Sequence, residues 1–355
     1  MENKIAIRLA DGRETEALAP VIVSASRSTD IPAFFAPWFM NRLGAGYSIW
    51  INPFNQKPSY ISYRNTRVIV FWSKNPAPML PHLDELDRLG INYYFQYTLN
   101  DYENEGLEPH VPRLQKRLET FRMLSERLGP DRVIWRTDPL ILTRSITPDI
   151  LLAKIRALSD SLAGLTRKLV FSFLDVNAYR KVQRNLLREN IFAEEELGHA
   201  EIGNAEQHMI ARGLQELRED WRRKGWDFAL ATCAESIDLS RYGIEHNRCI
   251  DPELMERVFP EDLRLRDYLA GFRRAGGEID LFSAQSPGGF DYTRFKDRGQ
   301  RQICGCVRSK DIGMYNTCPH GCVYCYANTS RDLALRNCQS CLRNPESEIL
   351  IPLVR

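Results

Sequence analysis

Three cysteines, Cys318, Cys322 and Cys325, stand at the spacing C-x3-C-x2-C inside the turn-forming segment 317–328. Thiolates this close on one loop can face a single centre, and as soft ligands they select zinc, copper(I) or iron–sulfur clusters. A structural zinc site or a [4Fe–4S] cube takes four protein ligands. Three leave one position open, which is where chemistry can occur. The competing interpretation is a structural zinc knuckle that borrows its fourth ligand from Cys304, Cys306 or His320.

Four further cysteines, Cys233, Cys249, Cys304 and Cys306, could converge on a second metal, either an auxiliary iron–sulfur cluster or zinc. Against this, Cys233 and Cys249 could simply be small buried hydrophobes. Cys338-x2-Cys341 has metal-like spacing in a tail-like setting, and either completes one of the other sites or only packs. An odd total of nine cysteines, crowded toward the C-terminus, suits metal binding in a reducing compartment better than disulfides. The formal net charge of +2 gives no overall bias toward nucleic acid or membrane. No run of 18 apolar residues occurs, and Met1-Glu2-Asn3-Lys4 lacks a signal core, so a cytoplasmic location with no membrane partner is expected.

These side chains need a scaffold. Short apolar runs at 21–26, 67–72, 92–98, 132–136, 168–173 and 227–232 alternate with helical patterns at 34–43, 79–89, 112–128, 148–162 and 205–224. Such alternation predicts parallel β/α units in an α/β fold, a partial TIM-type barrel. Each strand is followed by polar or reactive residues, among them Ser26, Lys74, Arg136, Asp138 and Cys233 with Glu235. In a β/α barrel, those positions build the active site. Lys74, Arg136, Asp138 and Glu235 are therefore the candidate catalytic residues, able to anchor a polar or anionic substrate or to form an ion-pair ring at the mouth. A helical stretch is expected at 252–274. Residues 1–330 read as one domain, with an insertion at 176–204 over the mouth, a cysteine loop at 304–328 and a C-terminal tail at 331–355.

The cysteine loop, with Tyr324 before its last cysteine, resembles that of radical S-adenosylmethionine enzymes. The run Gly321-Cys322 followed by Tyr324-Cys325-Tyr326-Ala327 is most similar to the spore photoproduct lyase branch. The resemblance implies a [4Fe–4S] cluster on Cys318, Cys322 and Cys325, with S-adenosylmethionine on the fourth iron. It implies cofactor contacts from Tyr324 and, near the methionyl amino group, from Ser26, Thr29 and Asp30. It also implies a 5′-deoxyadenosyl radical acting on an unassigned substrate, a nucleic acid or modified nucleobase among the options, and an electron donor such as a flavodoxin or ferredoxin. That family carries its cysteine loop after the first strand. Here it comes last, so a strand at 312–316 beside the strand at 21–26 would make the chain a circular permutation of the barrel. Over nearly its full length the chain also resembles the family DUF1848, through residues 24–32, 71–76, 133–139 and 311–328. The alternative of a different class is a zinc-stabilised nucleic-acid-binding protein without radical chemistry, using the basic run 296–301 with Arg308 and Lys310 on phosphates.

Overall fold

A computed structural model describes residues 4–273 and 289–351. Two hairpins build a small four-stranded sheet of order β1-β2-β5-β4: β1 (Lys4–Arg8) with β2 (Glu14–Leu18), and β4 (Tyr47–Ile51) with β5 (Pro58–Ser62). Between them lie β3 (Ile22–Ala25), α1 (Ile31–Phe34) and α2 (Ala36–Ala45). The chain then alternates through β6 (Val68–Ser73), α3 (Leu83–Arg88), β7 (Asn92–Thr98), α4 (Leu114–Leu128), β8 (Val133–Leu140), α5 (Pro148–Ser161) and β9 (Lys168–Phe173). It continues with α6 (Arg180–Arg188), α7 (Asn204–Arg223), β10 (Ala229–Thr232), β11 (Ile244–His246), α8 (Pro252–Val258), α9 (Leu263–Ala270), β12 (Lys310–Asp311) and α10 (Arg331–Arg343).

The main sheet has eight strands in the order β11-β10-β9-β8-β7-β6-β3-β12, and every pairing in it is parallel. The expected α/β class holds, but the sheet does not close into a barrel. Strands β11 and β12 are its free edges.

Both faces of this sheet are covered, which is why strands such as β6 (VIVFWS) and β9 (KLVFSF) are almost continuously apolar. On one face Phe71, Phe95, Trp135 and Phe171 pack with Phe39, Phe121, Leu158 and Leu214 from the helices. On the other, Val68, Val70, Tyr94, Ile134 and Val170 pack against Met255 of α8, Phe259 just after it, and Leu265 and Leu269 of α9. Side chains two apart share a face. Continuing that second face toward the strand C-termini therefore brings up Trp72, Gln96, Arg136 and Ser172, and there the apolar layer gives way to polar groups.

Some boundaries differ from the sequence expectation. The stretch 252–274 is two helices within its described part, because Pro260 cannot continue α8 and Asp262 restarts the chain by capping Leu265 N. The last strand lies at Lys310–Asp311, not 312–316, although it does pair with β3. The expected tail contains α10, capped by Ser330 on Leu333 N, with Cys338 and Cys341 buried in the core. Beyond it, Trp38 Nε1 donates to Ser347 O at 2.9 Å and Ile49 N to Glu348 O at 2.7 Å. Gly276-Gly277 and Pro287-Gly288 fall outside the described residues. No helix among the described residues is long and apolar enough to cross a membrane.

Candidate functional site

The pairing of β12 with β3 delivers the cysteine loop to the C-terminal end of the parallel sheet. Asp311 fixes the junction: its carboxylate accepts from Ser24 Oγ at 2.7 Å, Arg27 N at 2.9 Å and Gly313 N at 2.9 Å. Gly313 passes so close to the strand that a Cβ there would lie 1.9 Å from Ser26 Oγ. Thr29 Oγ1 accepts from Met314 N at 2.9 Å and lies 2.7 Å from Thr317 Oγ1. Asp30 accepts from Ala33 N, from Ser73 Oγ at 2.7 Å, from Lys74 N at 2.8 Å and from His320 Nε2 at 2.8 Å. Ser26 Oγ accepts from Ser28 N at 3.1 Å. Of the three residues expected as cofactor contacts, Thr29 and Asp30 fasten the loop to the strand ends, and Ser26 bonds locally with Ser28. His320, offered above as a fourth ligand, is buried on Asp30 and edge-on to Phe34.

Within the loop, Cys318, Cys322 and Cys325 lie in mutual electrostatic reach. Burial pushes the free thiols up, Cys322 to about 12, and the neighbouring cysteines add to this for Cys318 and Cys322. Backbone amides work in the opposite sense: His320 N–H favours the Cys318 thiolate, and those of Ala327 and Asn328 favour that of Cys325. Lys74 favours the thiolate at Cys322.

Lys74 belongs to a buried polar knot. Its ammonium donates to Glu108 at 2.7 Å and to Tyr324 OH at 2.9 Å, while Tyr324 OH itself donates to Glu108. Asn100 Nδ2 donates to Glu108 at 2.9 Å, and Arg117 stands 3.7 Å from the other carboxylate oxygen. Burial opposes charge on both Lys74 and Glu108. Their mutual attraction prevails, with Cys322 assisting Lys74 and Arg117 assisting Glu108, so the lysine pKa rises and the carboxyl pKa falls. Tyr324 was expected as a cofactor contact, whereas Glu108, Asn100 and Arg117 escaped sequence reasoning. They sit in a polar loop and a helix with no spacing signal.

The second cysteine group is brought together from distant segments. Cys233 follows β10, Cys249 follows β11, and Cys304 and Cys306 precede β12. The Cys233 and Cys249 sulfurs are 3.7 Å apart, and the Cys306 side chain lies within electrostatic reach of Cys249 and Cys304. Cys249 N and Ile250 N donate to Cys306 Sγ at 3.3 and 3.4 Å. Arg136 donates to Cys249 Sγ at 3.0 Å and pairs with Asp138, which also accepts from Ser172 Oγ. Among the described residues, no three His, Cys, Asp or Glu side chains already surround one ion-sized point.

Between the two cysteine groups lies an open cleft of about 390 Å³ lined by Asp175, Tyr179, Glu235, Arg301 and Ile303. Tyr179 stacks on Tyr326 of the cysteine loop at 5.3 Å. Burial lifts the Glu235 carboxyl to about 7, against the Phe173 N–H it accepts. Of the basic run, Arg301 pairs with Asp175 at 2.5 Å and Lys296 donates to Gln302 O. Within residues 176–204, Glu189 pairs with Arg331 of α10 at 3.3 Å, and Lys181 lies over Tyr315 at 5.8 Å.

Residues 22–327 match the family described as Domain of unknown function (DUF1848). No curated protein and no solved structure matches the chain. The matched span begins with β3 and ends in the cysteine loop, so it contains the whole parallel sheet.

Proposed function

We propose that the chain, which belongs to the DUF1848 family, is a radical S-adenosylmethionine enzyme built on a permuted partial barrel, its [4Fe–4S] cluster held by Cys318, Cys322 and Cys325. One observation carries this: three half-buried cysteines of one loop lie at the C-terminal end of a parallel sheet, while each candidate fourth protein ligand is engaged elsewhere. His320 is bound to Asp30, and Cys304 and Cys306 belong with Cys249. The donor set fits the group, because amide N–H groups and Lys74 favour thiolates at these positions. The adjacency of β12 and β3 supports the permuted order.

When bound, the cluster with S-adenosylmethionine supplies one-electron cleavage of the sulfonium to a 5′-deoxyadenosyl radical. The chain's own residues hold and screen that centre. Lys74 offsets thiolate charge beside Cys322, Glu108 and Tyr324 hold Lys74 in place, and Asp30 with Thr29 keeps the loop seated on the strand ends. The cleft beside Tyr326 is where a substrate would enter, with Glu235 and Arg301 as its polar contacts. A flavodoxin- or ferredoxin-type donor would supply the electron.

The test is anaerobic reconstitution with iron and sulfide, then reduction with dithionite in the presence of S-adenosylmethionine. Release of 5′-deoxyadenosine by the native chain and none by Cys322→Ala supports the proposal. A colourless protein holding only zinc and unable to cleave the cofactor overturns it.

A further inference from the structure

We infer that Cys233, Cys249, Cys304 and Cys306 form a separate mononuclear site, a four-thiolate zinc ion that clasps the two free edges of the parallel sheet. The Cys233 and Cys249 sulfurs touch at 3.7 Å, Cys306 Sγ accepts from Cys249 N at 3.3 Å, and Cys304 stands two residues before Cys306 on the same turn. A tetrahedral zinc ion with thiolate bonds of about 2.3 Å sets its sulfurs about 3.8 Å apart. The Cys233–Cys249 separation of 3.7 Å is already that edge. The four side chains do not yet converge on one point, so ion binding requires turning Cys304 and Cys306 toward the Cys233–Cys249 pair.

The surroundings suit anionic sulfur. Cys306 receives two backbone N–H groups, from Cys249 and Ile250, and Cys249 receives Asn247 Nδ2 at 3.2 Å and Arg136 at 3.0 Å. The Arg27 guanidinium, 5.0 Å over Trp72, is within electrostatic reach of Cys306 and Cys249. Its two terminal nitrogens have no hydrogen-bond partner among the described residues, and its ion pairs with Asp297 and Asp311 are 3.9 Å long. Sulfur-bound donors of this kind are what a metal thiolate centre recruits. Gly305 leaves room for the C-x-C turn, since a Cβ there would press on Arg248 at 3.1 Å.

Topology supplies the purpose. Cys233 and Cys249 leave β10 and β11 at one end of the strand order, whereas Cys306 lies four residues before β12 at the other. Backbone pairing does not join β11 to β12. Val307 N bonds to Ile250 O at 3.2 Å, so the two segments already touch where the ion would bind them.

The test uses the full chain with Cys318, Cys322 and Cys325 all changed to alanine, so its outcome does not depend on the proposed cluster. We expect one zinc per chain, replaceable by cobalt(II) with tetrahedral thiolate absorption bands. Adding Cys304→Ser and Cys306→Ser should abolish the metal. In the chain with the four cysteines intact, all four thiols should resist alkylation until a chelator is added. A metal-free protein with freely alkylated thiols, a Cys233–Cys249 disulfide, or iron with acid-labile sulfide in place of zinc would each overturn the inference.

Discussion

At the scale of single residues, the site depends on contacts that tolerate little change. Lys74 is the shared cation of a buried carboxylate and a buried tyrosine. Lys74→Met leaves Glu108 with Arg117, 3.7 Å away, as its remaining ion-pair partner among the described residues, and breaking a buried pair in this way costs about 3–5 kcal/mol. Urea denaturation of the variant should show a loss of that size, and much less when Glu108→Gln is combined with it. Gly313 is under a steric constraint, with Ser26 Cβ 2.6 Å and Ser28 Oγ 2.9 Å from the position of a Cβ. Gly313→Ala should destabilise by about 1–3 kcal/mol through overpacking. Ser26→Gly should recover part of that loss in a double-mutant cycle. Lys74 was legible from its place after a strand, but Glu108 and Gly313 acquire their roles only when β12 lies beside β3.

At the scale of elements, the legible parts were those in which local pattern and burial agree. Strands β6, β7 and β9 carry apolar or aromatic runs because helices cover both faces, and α5 announces itself with Thr147 before Pro148. Strand β12 is two polar residues whose strand character comes wholly from its partner, so no periodicity could reveal it. Helix α10 looked like a tail because its exposed face is charged, although Ala334, Cys338 and Cys341 are buried. Helix α9 carries a testable device. Asp262 caps it and accepts from Arg67 Nε at 2.9 Å and Asn92 Nδ2 at 2.7 Å, tying it to β6 and β7. Burial opposes its charge, but Arg67, the Leu265 amide and Asn92 prevail and lower the carboxyl pKa. A carboxyl depressed in the folded state contributes stability above its unfolded pKa and loses it as pH falls through the folded value. Asp262→Asn should therefore cost about 1–3 kcal/mol at pH 7. The difference from the native chain should shrink below about pH 4, the ordinary carboxylate range, in chemical denaturation at stepped pH.

At the scale of the whole molecule, the Tyr179 and Glu235 cleft adjoins both cysteine groups, through Ala234 and Ile303 beside Cys233 and Cys304 and through Tyr179 stacked on Tyr326 of the cysteine loop. The cysteine spacings marked both groups, but only the strand order explains why Cys304 and Cys306 join Cys249 and not Cys318. Sequence separation alone would have favoured the nearer loop. Cys338 and Cys341 belong to neither group and pack in the helical core. Replacing both with alanine should leave the metal content of the full chain unchanged while lowering stability by about 1–3 kcal/mol, on the scale of small core truncations.

The central claim concerns what Cys318, Cys322 and Cys325 hold. Its most direct test is iron and acid-labile sulfide per chain after anaerobic reconstitution, read as the difference between the native protein and Cys322→Ala. The account predicts a difference of about four irons and four sulfides, the content of one [4Fe–4S] cluster. Equal iron in the two proteins, or zinc in its place, would contradict it.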